Sequence, residues 1–169
     1  MNSALSTISK SLIVAVAALA LFGSPTATAQ DRSPVIDFST ADPDMQAAIA
    51  KGRATLPTFW ASYDAPKSSE TGHSLKVRFP SSKASGGEHI WIAGVKKGPD
   101  GRYSGKFGNT PRDLPGKKAG DPTEFAEADI TDWMFMRNGK IVGGETIRPL
   151  LKSMPKRDAD AMRARMETP

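Results

Sequence analysis

Two histidines, His73 and His89, and the carboxylates and cations between Asp129 and Arg148 are the side chains in this sequence best suited to chemistry. A structural zinc site needs four Cys or His ligands, and the chain has no Cys and 2 His. Glu88 and His89 are adjacent, and neighbours on a strand point to opposite faces, so they do not readily grip one ion. No metal and no cofactor is therefore expected. Nucleophilic catalysis also lacks its signatures, since there is no Cys and no Gly-x-Ser-x-Gly elbow. Asp129 and Asp132 could work as an acid/base pair, but local roles fit them better. Asp129 ends a turn, and Asp132 can bond backbone N–H groups at the entry to a strand. Gly143-Gly144 is too short for a phosphate loop and is followed by the acidic Glu145. It reads as a bend where backbone meets backbone.

Binding suits the charged residues better than catalysis. Lys76 and Arg78 share one strand face, Arg102 and Lys106 share another, and Arg112, Lys117 and Lys118 fall in one long loop. Such a basic surface suits an acidic envelope protein, a cell-wall polymer or anionic headgroups. The favoured reading is a non-enzymatic binding or interaction module, and the alternative is a hydrolase using the Asp132/His89 region. Asp132, Glu145 and Arg148 are expected to form one ionic cluster that is structural and a candidate binding surface.

The elements that must position these residues centre on Asn138-Gly139. Type I′ turns need positive φ at both central residues, and Asn followed by Gly supplies it. The flanking apolar runs are then strands, with Trp133 and Phe135 on one face and Met134 and Met136 on the other. Residues loading both faces indicate a central strand covered above and below, and Trp133 is expected in the core. Upstream, Asp42 caps a helix with Pro43 at its first position, and Met45, Ala48, Ile49, Gly52 and Leu56 form its apolar stripe. Pro57 ends or kinks it, and Phe59, Trp60 and Tyr63 follow as packed aromatics. Residues 65–72 read as a polar loop. Leu75, Val77 and Phe79 alternate with the basic Lys76 and Arg78, a half-buried strand with a basic outer face. The next strand, His89 to Val95, is apolar on both faces and includes Trp91. A Pro99-Asp100-Gly101 turn leads to Tyr103–Phe107 as a meander, and residues 108–122 are too rich in Pro and Gly for a regular element. Residues 123–125 give a short strand. Residues 148–154 are helical by the spacing of Leu150, Leu151 and Met154, and residues 156–166 form a polar helix that frays. Helices, a run of strands and then helices predict an α+β fold: a bent, mostly antiparallel sheet of about five strands with N- and C-terminal helices packed on it.

The address is read from the N-terminus. Lys10, an apolar run of about a dozen residues and Ala27-Thr28-Ala29 make a secretory signal, too short to span a bilayer. Cleavage is expected after Ala29, giving a periplasmic or secreted protein without a membrane span. Residues 30–41 then form a tether, 42–155 a single domain, and 156–169 a terminal helix or tail. Loss of Lys10 lowers the formal charge from +5 to +4, which is mild and unlike a nucleic-acid binder.

The order of landmarks resembles the YegJ-like family of bacterial proteins, domain of unknown function 2314. The pieces are Leu56-Pro57-Thr58-Phe59-Trp60, Lys76-Val77-Arg78-Phe79, Glu88-His89-Ile90-Trp91, Tyr103-Ser104-Gly105, Asn109-Thr110-Pro111-Arg112, Gly120-Asp121, Ile130-Thr131-Asp132-Trp133-Met134 and Gly143-Gly144-Glu145-Thr146-Ile147-Arg148. The resemblance carries no activity and no catalytic residue. Pro122 departs from its pattern, which puts the short strand after it in question. Related immunity-type proteins share an Asp-Trp plus Gly-Gly pattern, and that likeness implies protein binding.

Overall fold

The computed structural model describes residues 11–15, 35–39, 42–81 and 86–168. The expected cleavage point after Ala29 lies outside them. The strands are β1 (Ser11–Ala15), β2 (Val35–Ser39), β3 (Glu70–Phe79), β4 (Glu88–Lys97), β5 (Arg102–Phe107), β6 (Pro122–Ala126), β7 (Ile130–Arg137) and β8 (Lys140–Gly143). The helices are α1 (Pro43–Ala54), α2 (Leu56–Asp64), α3 (Ile147–Leu150) and α4 (Lys156–Arg165). The fold is α+β. Strands β3 to β8 form an antiparallel sheet in which β4, β3, β7 and β8 are successive neighbours, while β5 pairs with β4 and β6 with β5. That is six strands within this stretch, more than the expected five, because β6 forms despite Pro122. The proline stands at the first position of β6 opposite Lys106, where a missing N–H is tolerated. Strands β1 and β2, in the segments read as signal and tether, pair with each other, and β1 runs parallel to β4 with Val14 opposite His89.

Local chemistry explains most boundaries. Asp42 accepts the Met45 N–H at 3.0 Å and so caps α1. The chain breaks at Thr55, and Pro57 sits in the first turn of α2, where its lack of N–H costs nothing. Asn138 and Gly139 hold φ of 50° and 76°, and Met134 pairs with Gly143 across the hairpin as the turn dictates. Gly143 has φ 80°, and a Cβ there would lie 2.5 Å from Trp133 O, so the backbone does meet backbone at this bend.

Several boundaries differ from the sequence reading. Strand β3 starts at Glu70, within the stretch read as a polar loop, because Ser62, Lys67 and Arg137 all bond the Glu70 carboxylate and hold the chain extended against β7. The helix read over residues 148–154 is regular only from Ile147 to Leu150 and continues as turns. Met166 leaves α4 and bridges Ile141, with Glu167 N donating to Ile141 O at 2.8 Å, so the tail covers the β8 edge instead of fraying.

The sheet is covered on both faces, as the double apolar load of β4 and β7 required. One core gathers Leu56 and Phe59 of α2 with Leu75, Val77, Ile90, Ile92, Trp133 and Phe135. The other gathers Trp91, Ile141, Ile147, Leu151, Ala159 and Met166. Trp60 and Tyr63 pack on the first core beside the fully buried Phe59. Trp133 is buried, and its Nε1 donates to Gly52 O at 3.0 Å, which ties α1 to β7. Trp133→Ala therefore removes core volume and this tie together. The expected loss is about 3–5 kcal/mol, read as a fall in the urea midpoint at pH 7.

Candidate functional site

The charged residues near the hairpin converge on Asp132, which is fully buried. Strand β7 carries a bulge between the pairs Lys76↔Asp132 and Val77↔Ile130, so Thr131 is the extra residue. The bulge brings Thr131 and Asp132 under different partners. Asp132 Oδ1 accepts from Trp133 N at 2.8 Å and Glu145 N at 3.2 Å. Oδ2 accepts from Thr146 N and Thr146 Oγ1, both at 2.7 Å. Gly52 of α1 closes over the carboxylate, since a Cβ there would lie 2.9 Å from Asp132 Oδ1.

The cation that accompanies Asp132 is Lys76. Its Nζ donates to Thr146 Oγ1 at 3.0 Å and sits 5.3 Å from the centre of the Trp91 ring. Lys76 is buried, so the expected basic outer face of β3 is carried by Arg78 alone. Strand β3 lies inside the sheet and its second face is roofed by the C-terminal layer, a burial that a two-residue alternation of charge cannot reveal. Burial lowers the Lys76 pKa to about 8 against the opposing charge of Asp132. Burial likewise raises Asp132, opposed by Thr146, Lys76 and the backbone N–H groups.

Arg148 does not reach Asp132. Its Nε lies 3.4 Å from Glu145 Oε2, near enough for ion pairing but without hydrogen-bond alignment. Glu145 also pairs with Lys51 at 3.1 Å. The expected Asp132–Glu145–Arg148 cluster is thus split: the Glu145 backbone serves Asp132 while its side chain turns outward to the two cations. The two carboxylates do not face each other across the hairpin, because Gly143 and Gly144, with φ of 80° and 66°, bend the chain where the pairing ends.

His89 is buried and neutral. Its Nδ1 lies 3.0 Å from Thr131 Oγ1, and its pKa falls to about 3 through burial first and then the charges of Lys76 and Arg78, against a bond to the Gly86 backbone. His73 is half-buried: its Nε2 is 2.8 Å from Ser62 Oγ, which donates to Glu70 Oε2 at 2.7 Å. The Ser62 hydroxyl heads the bonds that hold the Glu70 pKa down at about 2. Sequence reasoning missed this Ser62–His73–Glu70 network because its members sit on two elements whose packing only the fold supplies. Ser62 bridges the other two, so its single proton cannot serve both, and no relay through the imidazole to Glu70 is formed.

The remaining sequence candidates lie elsewhere. Arg112, Lys117 and Lys118 are exposed on the loop between β5 and β6. That loop is pinned: Glu88 accepts the N–H groups of Arg112 and Asp113 at 2.8 and 2.9 Å, and Thr110 Oγ1 accepts from Ala119 N. Among the described residues, no group of three or more His, Cys, Asp or Glu is placed to hold a metal ion. No helix among them is long and apolar enough to cross a membrane.

Comparison with known proteins gives two findings. A family model described as "Uncharacterized protein conserved in bacteria (DUF2314)" matches residues 42–166. The chain is 38% identical over 79 residues to "Uncharacterized protein YegJ" of Escherichia coli strain K12, a stretch covering 47% of this chain and 51% of that relative. The match thus spans about half the length of the relative. No solved structure matches.

Two measurements test the site. Asp132→Asn is expected to cost about 3–5 kcal/mol by leaving Lys76 without its charge partner. In double-mutant cycles it should couple to Lys76→Met by more than about 1 kcal/mol, and add to Arg148→Gln within about 0.5 kcal/mol. For His89 the folded pKa lies below the ordinary 6.5. Its contribution is therefore complete above pH 6.5 and lost as pH falls toward 3. Urea midpoints should drop over that window in the wild type, by an effect on the order of several kcal/mol at the acid end, and drop less in His89→Gln.

Proposed function

Because the chain belongs to the bacterial family DUF2314, a membership that brings no reaction with it, we propose a function from the geometry: an exported, periplasmic or secreted, non-enzymatic module that binds an acidic partner. The observation that carries the reading is the loop 108–122. Residues 108–121 have no regular secondary structure, yet Glu88 of β4 and the loop's own Thr110 and Asp121 fasten their backbone. Lys117 and Lys118 stand exposed on it, and neither joins an ion pair among the described residues. A loop held in one shape and presenting unpaired cations loses little conformational entropy when it meets a partner.

The hydrolase alternative gains less support. All four donors on Asp132 are structural and the carboxylate is sealed from solvent. His89 is spent on Thr131 and on the Gly86 backbone. Neither residue has a free position facing a reacting group. Envelope proteins and anionic cell-wall polymers both present the negative charge that this loop suits.

The test is co-purification from the periplasm with a photo-crosslinking residue at the exposed position Ala119, beside the two lysines. A discrete crosslinked species should form with wild-type protein and fall at least about tenfold for Lys117→Glu/Lys118→Glu, since reversing two rim charges slows association. Intact mass of the periplasmic species should begin at Gln30. A precursor-length protein would remove the export reading, and crosslinking indifferent to the charge reversal would remove the loop.

A further inference from the structure

A second electropositive feature lies away from this loop. Where α1 crosses the ends of β3, β4 and β7 there is a cleft of about 270 Å³, bordered by Gln46, Arg53, Arg78, His89 and Thr131. Two guanidinium groups enter it, and none of the described residues lining it is acidic. Asp129 lines an adjoining cleft that shares Arg78, and among the described residues no ion pair joins the two.

The two arginines are held differently. Arg53 Nη1 donates to Ala128 O at 2.7 Å and Ile130 O at 3.0 Å, which fixes its plane and leaves Nε and Nη2 for a ligand. Arg78 is exposed, and no hydrogen bond or ion pair engages its guanidinium among the described residues. A fixed fork beside an adjustable one suits a planar or tetrahedral oxyanion, which takes two parallel N–H bonds from each. His89, its ring bonded to Thr131, forms a wall of the site. Beside the polar Gln46 and Thr131, Ile49 and Ala128 add an apolar part to the lining, which fits the methylene stem of an acidic side chain.

We propose that this cleft is an oxyanion-binding site, with Arg53 and Arg78 as its ligand-holding residues and a carboxylate or phosphate group as its ligand. It is independent of the loop 108–122, so either reading survives the failure of the other.

Calorimetric titration of the exported protein with glutarate and, separately, with inorganic phosphate tests it. At about 20 mM salt at least one should bind, and raising salt to about 500 mM should weaken it, as expected of exposed charges. Arg78→Gln, on an exposed side chain, should weaken binding about tenfold or more, with an unchanged urea midpoint confirming that the fold is intact. Arg53→Lys should weaken it too, because an ammonium cannot hold two carbonyls and still present a fork. Lys117→Gln/Lys118→Gln is the control and should bind as the wild type. Glutarate alone would assign the site to carboxylates, phosphate alone to phosphoryl groups, and both to oxyanions in general. Binding of neither, equal binding by Arg78→Gln, or an equal loss in the lysine control would overturn the proposal.

Discussion

Asp132 is the group around which this molecule closes. A carboxylate without solvent is costly unless donors surround it, and here four donors and the charge of Lys76 do so. Three of the donors are backbone N–H groups from Trp133, Glu145 and Thr146, so the carboxylate stitches the return of the hairpin to its outgoing strand after the ladder has ended. Gly52 is required above it because any side chain would strike Asp132 Oδ1. The same approach lets Trp133 reach Gly52 O. One residue thereby sets the bend after β8, the seat of α1 and the orientation of the largest side chain in the first core.

Lys76 follows from that arrangement. A buried ammonium beside a buried carboxylate adds little net stability, yet removing either leaves the other stranded. Thr146 touches both, with its hydroxyl donating to Asp132 and accepting from Lys76. Polar residues at the centre of a sheet invite an active-site reading. In this molecule every polar atom of the Asp132–Thr146–Lys76 group faces another, which is how scaffolding is built. Among the described residues, exposed cations with unspent hydrogen-bonding capacity stand on the loop between β5 and β6 and at the mouth of the Arg53/Arg78 cleft. That distribution is what supports the proposed recognition role.

The family to which the chain belongs spans the region from the cap of α1 to the tail that covers β8. Leu56-Pro57, Asp132-Trp133 and Gly143-Gly144, the pieces that carried the resemblance, are the helix break, the buried hub and the backbone bend. In this chain they build the scaffold, and the cations of the loop and cleft are what it displays.

Local rules decided much of this protein in advance. Asn138-Gly139 dictated a turn and hence the register Met134↔Gly143, because left-handed φ values are open to few residues. Asp42-Pro43 dictated a helix start, Pro57 a break, and apolar residues on both faces of β7 a strand covered twice. The lack of Cys and the scarcity of His bore on chemistry directly. What a one-dimensional pattern could not hold was which charges would be buried. Lys76 and Arg78 are equivalent in alternation, and only the layer laid down by α3 and the tail, some 70 residues away in the case of Thr146, makes one of them core and leaves the other exposed. The choice of Lys76 over Arg148 as the partner of Asp132, the Ser62–His73–Glu70 contact, and the meeting of Arg53 with Arg78 have the same origin. Each depends on distances between elements far apart in sequence, and those are set by packing.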